Sequence, residues 1–336
     1  MNETEIVIFG AITIALFFDF VNGFHDSANS VATVVGTKVL KPMYAVGIAA
    51  VANFAGPFIF GTAVAATVGK GIIQPEFSTV SVIFAGLIGA IAWDLITWYF
   101  GLPSSSSHAL IGGLIGSALI AGGLNAIVLP GIRNTLVFMV ISPVAGFVIA
   151  FSFAIVIIYF FRKTSPTKTN KLFGKFQIMS SAFFSLTHGA NDGQKTMGVI
   201  TALLIAGQLL PSKSFVIPIP VILVAASAIS LGTFFGGWRI IRTMAFRLTD
   251  LRPYQGFCAE TVGGAILTSM AFFGIPVSTT HAIAGSIMGV GATRRLSAVR
   301  WGVGKRIVYA WIITIPASAS IAGFCLVVIR MMTGGT

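Results

Sequence analysis

Two short stretches rich in hydroxyl side chains interrupt the apolar runs of this chain. The first reads GLPSSSSHALIGG, from Gly101 to Gly113, and the second reads GIPVSTTHAIAGS, from Gly274 to Ser286. A shift of 173 positions carries Gly101 onto Gly274, Pro103 onto Pro276, Ser105 onto Ser278 and His108 onto His281. It also sets Ser106 and Ser107 against Thr279 and Thr280. Glycine and proline stop one helix, and the apolar run after the hydroxyls starts another. The free N–H groups and positive end of a helix beginning near Ser105 or Ser278 form an anion site, to which Ser and Thr add donors. Two such ends facing each other could hold the four oxygens of a tetrahedral anion. That makes Ser104, Ser105, Ser106, Ser107, Ser278, Thr279 and Thr280 the anion-binding candidates. The plainer alternative is capping and close packing, since GxxxG spacings follow at Gly112–Gly116 and Gly285–Gly289. Repetition at matched positions favours a site.

A second constellation is acidic. Asp26, in NGFHDSANS, and Asp192, in HGANDGQK, stand inside otherwise apolar runs where a helix interruption is expected. A charge at the centre of a membrane helix costs at least about 2.5 kcal/mol, so such residues are functional candidates by default. Asn22, Asn29, Asn191 and Gln194 lie around them. Hard oxygen donors of this kind suit Na⁺ or another hard cation, and the thiolate and paired-imidazole patterns of zinc are absent. A structural Asp capping a restarted helix is the alternative. Lys195 follows Asp192 by three positions. Its ammonium could neutralise that carboxylate, replace a bound cation or reach the anion, or it could snorkel or form a structural pair. His25, His108, His188 and His281 could relay protons, although a structural hydrogen bond suits His108 and His281 better. Glu260, in an apolar stretch, is a weaker candidate.

The elements that must position these groups are membrane helices. Of the 336 residues 56% are hydrophobic and only 9% charged, and the mean hydropathy is +0.94. Apolar runs near the roughly 20 residues that span a bilayer recur from end to end, which excludes a porin-type barrel. The N-terminus lacks the features of a cleaved signal, so the first helix is expected to stay. The net charge of +12 fits basic cytoplasmic loops better than nucleic-acid binding. Cys258 and Cys325 show no metal or redox spacing and read as inert buried thiols.

The pattern restarts after a basic linker, RKTSPTKTNKLFGK. NGFHDSANSVATV lies over HGANDGQKTMGVI at a shift of 166, and ANFAGPFIFG over AISLGTFFGG at 176. With the hydroxyl segments at 173, these ordered matches indicate an internal repeat. Loops 239–252 and 294–306 are rich in Lys and Arg, whereas their first-half counterparts hold only Lys70 and Arg133. Equivalent loops are therefore expected on opposite sides of the membrane. The expected fold is an all-α polytopic membrane protein of two inverted-topology repeats, with interrupted helices and re-entrant or broken hairpins. The domains are residues 1–161, a cytoplasmic linker at 162–175, and residues 176–336. Basic loops face the cytoplasm and both termini face outward.

These segments, GFHD and GAND with GLPSSSSH and GIPVSTTH, resemble those of the inorganic phosphate transporter (PiT) family over nearly the whole chain. The resemblance implies cation-coupled uptake of orthophosphate at a cell (inner) membrane. By position it carries over Gly23, Asp26 and Asn29 as one signature and Gly189, Asn191, Asp192 and Gln194 as the other. With the residue chemistry above, the phosphate candidates are the hydroxyls with Gln194 and Lys195, and the sodium candidates are Asp26, Asn29, Asn191, Asp192 and Asn22. The family has GxND in both copies, and His25 stands here where its first Asn is expected. Lys195 stands opposite Asn29, where a second Asn is common. Na⁺ is expected as co-transported ion, with H⁺ as the rival and no cofactor. The lipid bilayer is a partner, a homodimer is left open and nucleic acid is not expected. An anion channel and an intramembrane serine hydrolase are the readings from other classes. The duplicated hydroxyl and His elements suit a symmetric cavity rather than one nucleophile.

Overall fold

The computed structural model describes residues 3–211 and 215–334. The extreme chain ends, whose side of the membrane the loop charges predict, lie outside the described residues. The first half contains α1 (Glu3–Gly36), α2 (Pro42–Phe60), α3 (Ala63–Gly71), α4 (Val80–Phe100), α5 (Ser106–Gly122) and α6 (Leu129–Phe161). The second contains α7 (Pro166–Ala206), α8 (Ile219–Phe235), α9 (Trp238–Arg242), α10 (Pro253–Phe272), α11 (Thr279–Ala292) and α12 (Trp301–Met332). Among the described residues six helical spans are long and apolar enough to cross a membrane, and α8 continues into α9 and the π turn after it across a bend of 56°. Large apolar side chains such as Phe58, Phe100, Phe160, Phe272 and Phe324 point outward, while Asp, Asn, Ser and Thr gather inside. A solvent of lipid tails selects that arrangement, because polar groups must find partners within the protein.

Most of the basic stretch 162–175 is helical rather than an open linker. Pro166 begins α7, because a proline at the first helical position loses no hydrogen bond and has its φ preset. Only Arg162–Ser165 separate α6 from α7.

The helices pair in a pattern that survives exchange of the two halves. Helix α1 packs on α8 and α7 on α2, while α5 packs on α12 and α11 on α6. Single residues obey the same exchange. Gly23 lies against the backbone of Ile229, and Gly189 against that of Asn53. The shifts of 166 and 176 convert one pair into the other. Any Cβ at either glycine would overlap the facing backbone. Pro143 in α6 and Pro316 in α12 are likewise related by 173.

Each hydroxyl segment is the turn of a helical hairpin, α4–α5 or α10–α11. Gly101 and Gly274 both have φ of +64°, which glycine alone adopts without strain. Pro103 and Pro276 prevent the chain from resuming the helix at once. Ser105 and Ser278 then cap α5 and α11, accepting from the N–H of His108 at 3.3 Å and His281 at 3.2 Å. Each turn is tied down from the opposite half. Thr243 donates to the Gly101 carbonyl at 2.8 Å, and Thr67 donates to that of Gly274 at 2.7 Å. Behind the turns, Gly112 and Gly116 press against α12, and Gly285 and Gly289 against α6. Close packing and hydroxyl display therefore coexist on one helix.

The carboxylates differ from expectation in their backbone. Asp26 and Asp192 lie inside unbroken α1 and α7, and the interruptions fall at the hydroxyl segments, between α2 and α3, and between α8 and α9. The glycines beside each Asp serve helix contact, so they do not break the helix.

Candidate functional site

The two hairpin turns meet the two carboxylates in one buried cluster. Ser106 donates to Asp26 Oδ1 at 3.3 Å, while Thr279 and Thr280 approach Asp26 Oδ2 at 3.5 and 3.4 Å. At the other carboxylate, Thr279 donates to Asp192 Oδ2 at 2.9 Å and Ser107 reaches Oδ1 at 3.5 Å. Thr279 thus touches both acids. The side chains of Asp26, His188 and Asp192 each offer an atom within 4.8 Å of the others. Asn29 donates to Thr279 at 3.2 Å and Thr280 at 2.9 Å, aligning those hydroxyls. All of these groups are buried.

The electrostatics of the cluster are set by its nitrogen partners. His25 Nδ1 lies 2.7 Å from Asp26 Oδ1. Its Nε2 meets Thr97 at 3.1 Å and Ser104 at 3.3 Å, and Ser104 also donates to Thr97 at 2.8 Å. The Lys195 ammonium donates to Asp192 Oδ1, to the Ser107 hydroxyl and, at 2.9 Å, to the Val277 carbonyl. Snorkelling is excluded, since Lys195 is 1% exposed. His188 Nδ1 pairs with Asn53 Oδ1 at 3.1 Å, which leaves Nε2 facing Asp192 Oδ2 at 3.2 Å. With Nδ1 donating, that contact is favourable once a proton or metal ion lies between the two atoms. Asp26, His188 and Asp192 lie close enough to share one cation, the carboxylates offering hard oxygens and His188 a softer nitrogen.

The remaining sequence candidates take different places. Gln194 binds the break between α2 and α3 instead of the hydroxyl cluster. Its Oε1 accepts from Val64 N at 2.9 Å and its Nε2 donates to the Gly61 carbonyl at 2.5 Å. Asn191 donates to the Leu267 carbonyl in α10 at 3.1 Å, and its Oδ1 has no protein partner. The buried Oδ1 of Asn22 has none either. Ser105 and Ser278 act as helix caps, and the hydroxyls that meet the carboxylates are those of Ser106, Ser107, Thr279 and Thr280. The His108 and His281 rings meet edge to face at 4.7 Å, so the two hairpins touch at equivalent residues. His281 also stacks on Trp311 at 3.8 Å and pairs with the Met139 carbonyl at 3.2 Å.

Some neighbours were missed. Asp19 lies buried on α1 and accepts from Thr196 at 2.8 Å. Asp94 lies buried one turn before Thr97. Both are acids within apolar runs, the signal that identified Asp26, and it applied equally to them. Thr97 carried no signal, since its contact with His25 spans 72 positions. Glu260 forms a separate cluster, accepting from Thr33 at 2.5 Å, Gln177 at 3.2 Å and Ser180.

Residues 22–322 match the model of a family described as the phosphate transporter family. A protein of Rhizobium meliloti named as a probable low-affinity inorganic phosphate transporter is 51% identical over 319 residues, covering 95% of both chains. A Bacillus subtilis protein of the same name is 45% identical, covering 95% of this chain and 96% of its own. Among solved structures, one described as the sodium-dependent phosphate transporter superposes with a TM-score of 0.88 at 27% identity. That match covers 97% of this chain and 99% of the other.

Proposed function

The chain belongs to the phosphate transporter family, and we propose that it imports phosphate by cation symport, with Na⁺ as the coupling ion. It is a multi-pass membrane protein that transports phosphate, and it is not an enzyme. The observation that carries the coupling reading is the meeting of hydroxyls from both hairpins with a carboxylate from each half. Thr279 touches both acids.

In this reading phosphate binds at the starts of α5 and α11. Backbone N–H groups and the hydroxyls of Ser106, Ser107, Thr279 and Thr280 hold its oxygens, with Ser104, Ser105 and Ser278 fixing the turns. Gln194 contributes by holding the α2–α3 break, and Lys195 contributes positive charge beside the anion. Asp26, Asp192, Asn22, Asn29 and Asn191 supply oxygen ligands to the cation. Two unit charges 4 Å apart interact by about 4 kcal/mol at an effective dielectric of 20. The carboxylates therefore repel phosphate until cations screen them, and each species then raises the other's affinity. The exchange-symmetric helix pairing and the uneven loop charges favour inverted halves, with one bundle rocking against the other around the cluster. The basic loops then face the cytoplasm. The sodium dependence in the name of the similar structure supports Na⁺.

Proton coupling is the second reading, and the 2.7 Å contact between His25 Nδ1 and Asp26 Oδ1 favours it. Reconstituted vesicles decide between them. With Na⁺ replaced by choline at fixed pH, concentrative uptake stops under the first reading and survives under the second. Uptake that equilibrates without any cation gradient would overturn both.

A further inference from the structure

We propose that the Lys195 ammonium is a tethered coupling cation: it occupies the place a mobile ion would take at Asp192, so this chain loads one ion fewer than two equivalent carboxylate sites would. The inference rests on the cation-symport reading and concerns how many ions that symport needs. It begins from the oxygens around Nζ, a carboxylate (Asp192), a hydroxyl (Ser107) and a backbone carbonyl (Val277, 2.9 Å). Such hard oxygen donors hold a hard cation. An ammonium has three N–H donors, and these three acceptors use all of them.

The placement is equally specific. The acceptors come from α7 itself, from the first turn of α5 and from the non-helical segment just ahead of α11. The charge therefore sits where the two hairpins and the second-half acid converge, buried from solvent. A purely structural pair would not need both hairpins.

The other half lacks the device. The shift of 166 sets Lys195 against Asn29, a neutral amide that donates to Thr279 and Thr280. Among the described residues Asp26 is met by His25, Ser106, Thr279 and Thr280 and by no ammonium. A place for a mobile cation lies among Asp26, His188 and Asp192, whose ligand atoms lie within 4.8 Å of one another, on the side of Asp192 away from Lys195, where Oδ2 also accepts from Thr279. The cation at Asp192 is thus part of the chain, while a cation at the central group must be loaded with each cycle.

The test compares wild type with Lys195→Asn, which restores the residue of the other half, and with Lys195→Gln, which keeps more of the stem. Purified proteins in liposomes are assayed for ³²P-phosphate uptake, ²²Na⁺ flux and charge moved, with Na⁺ and pH varied separately. Both variants are expected to move one more positive charge per phosphate. At sub-saturating Na⁺ their rate should fall by an additional factor of about 10 for each tenfold dilution, as mass action at one more site requires. Detergent-solubilised variants should bind one more ²²Na⁺ than wild type, a measurement that needs no transport. Unchanged charge-to-phosphate ratio, Na⁺ slope and Na⁺ binding in the variants would overturn the inference. Wild-type uptake that ignores every cation gradient would instead remove the symport reading, and the binding comparison would still decide the role of Lys195.

Discussion

Asp26 and Asp192 belong to different halves of the chain, yet their carboxylates converge with His188 so that ligand atoms lie within 4.8 Å of one another. Two carboxylates so close in a buried site repel each other unless positive partners are supplied. One partner is built in, as Lys195 on Asp192. At the first-half acid the described residues supply His25 and hydroxyls. The asymmetry makes the two acids unequal, and mutation should reveal it.

Replacing Asp192 by Asn leaves the Lys195 ammonium buried without its counter-charge. Breaking a buried pair in this way costs about 3–5 kcal/mol. The melting temperature of Asp192→Asn in detergent should therefore fall well below that of Asp26→Asn. Adding Lys195→Gln to Asp192→Asn should recover most of the loss, because the pair is then removed as a unit. Equal melting of the two single variants would contradict an ion pair at this position.

Asp26→Asn should instead fold and fail to couple. Allosteric coupling between bound species is typically 1–3 kcal/mol, so phosphate affinity in the presence of Na⁺ should weaken by about 5–150-fold. Phosphate binding to the purified variant, titrated with and without Na⁺, reads this directly. A variant that keeps the wild-type Na⁺ effect would remove Asp26 from the cation site.

The hydroxyl–carboxylate core was legible in the sequence because the repeat states it twice. The hairpin turns also carry chemistry that cannot be continued as helix, glycine then proline. The backbone around the acids was not legible. Gly23 and Gly189 look like breakers, but they exist to admit the backbones of Ile229 and Asn53 across the half-to-half contact. Gln194 looks like a ligand because it lies two positions from Asp192. Helical geometry turns it about 200° away, at 3.6 residues per turn, onto the α2–α3 break. Thr97 and Thr243 act on residues from distant segments, and no spacing within one segment predicts that.

The threonine ties on the hairpin turns give a further expectation. Thr67→Val and Thr243→Val each remove one hydrogen bond to a positive-φ glycine carbonyl. A typical net loss is about 0.5–1.5 kcal/mol, so each variant should remain folded. Because each tie crosses between halves, the effect should appear in transport more than in melting. A lower maximal rate with modest change in melting temperature would show that the ties position the hairpins.

Selection between phosphate and sulfate tests the acids from the side of the anion. Both anions are tetrahedral and fit donors from α5 and α11 equally well. Phosphate near neutral pH retains a proton that it can donate to a carboxylate, whereas sulfate has none. A site built to accept a hydrogen bond penalises the analogue that cannot give one, by as much as about 10⁴-fold. Sulfate in large excess should therefore fail to compete for ³²P-phosphate uptake in the wild type. In Asp26→Asn, the amide can donate to a sulfate oxygen, and the inhibition constants for the two anions should draw together. If wild-type uptake were inhibited by sulfate as strongly as by unlabelled phosphate, the carboxylates would not face the anion, and a role for Asp26 in selecting it would have to be abandoned.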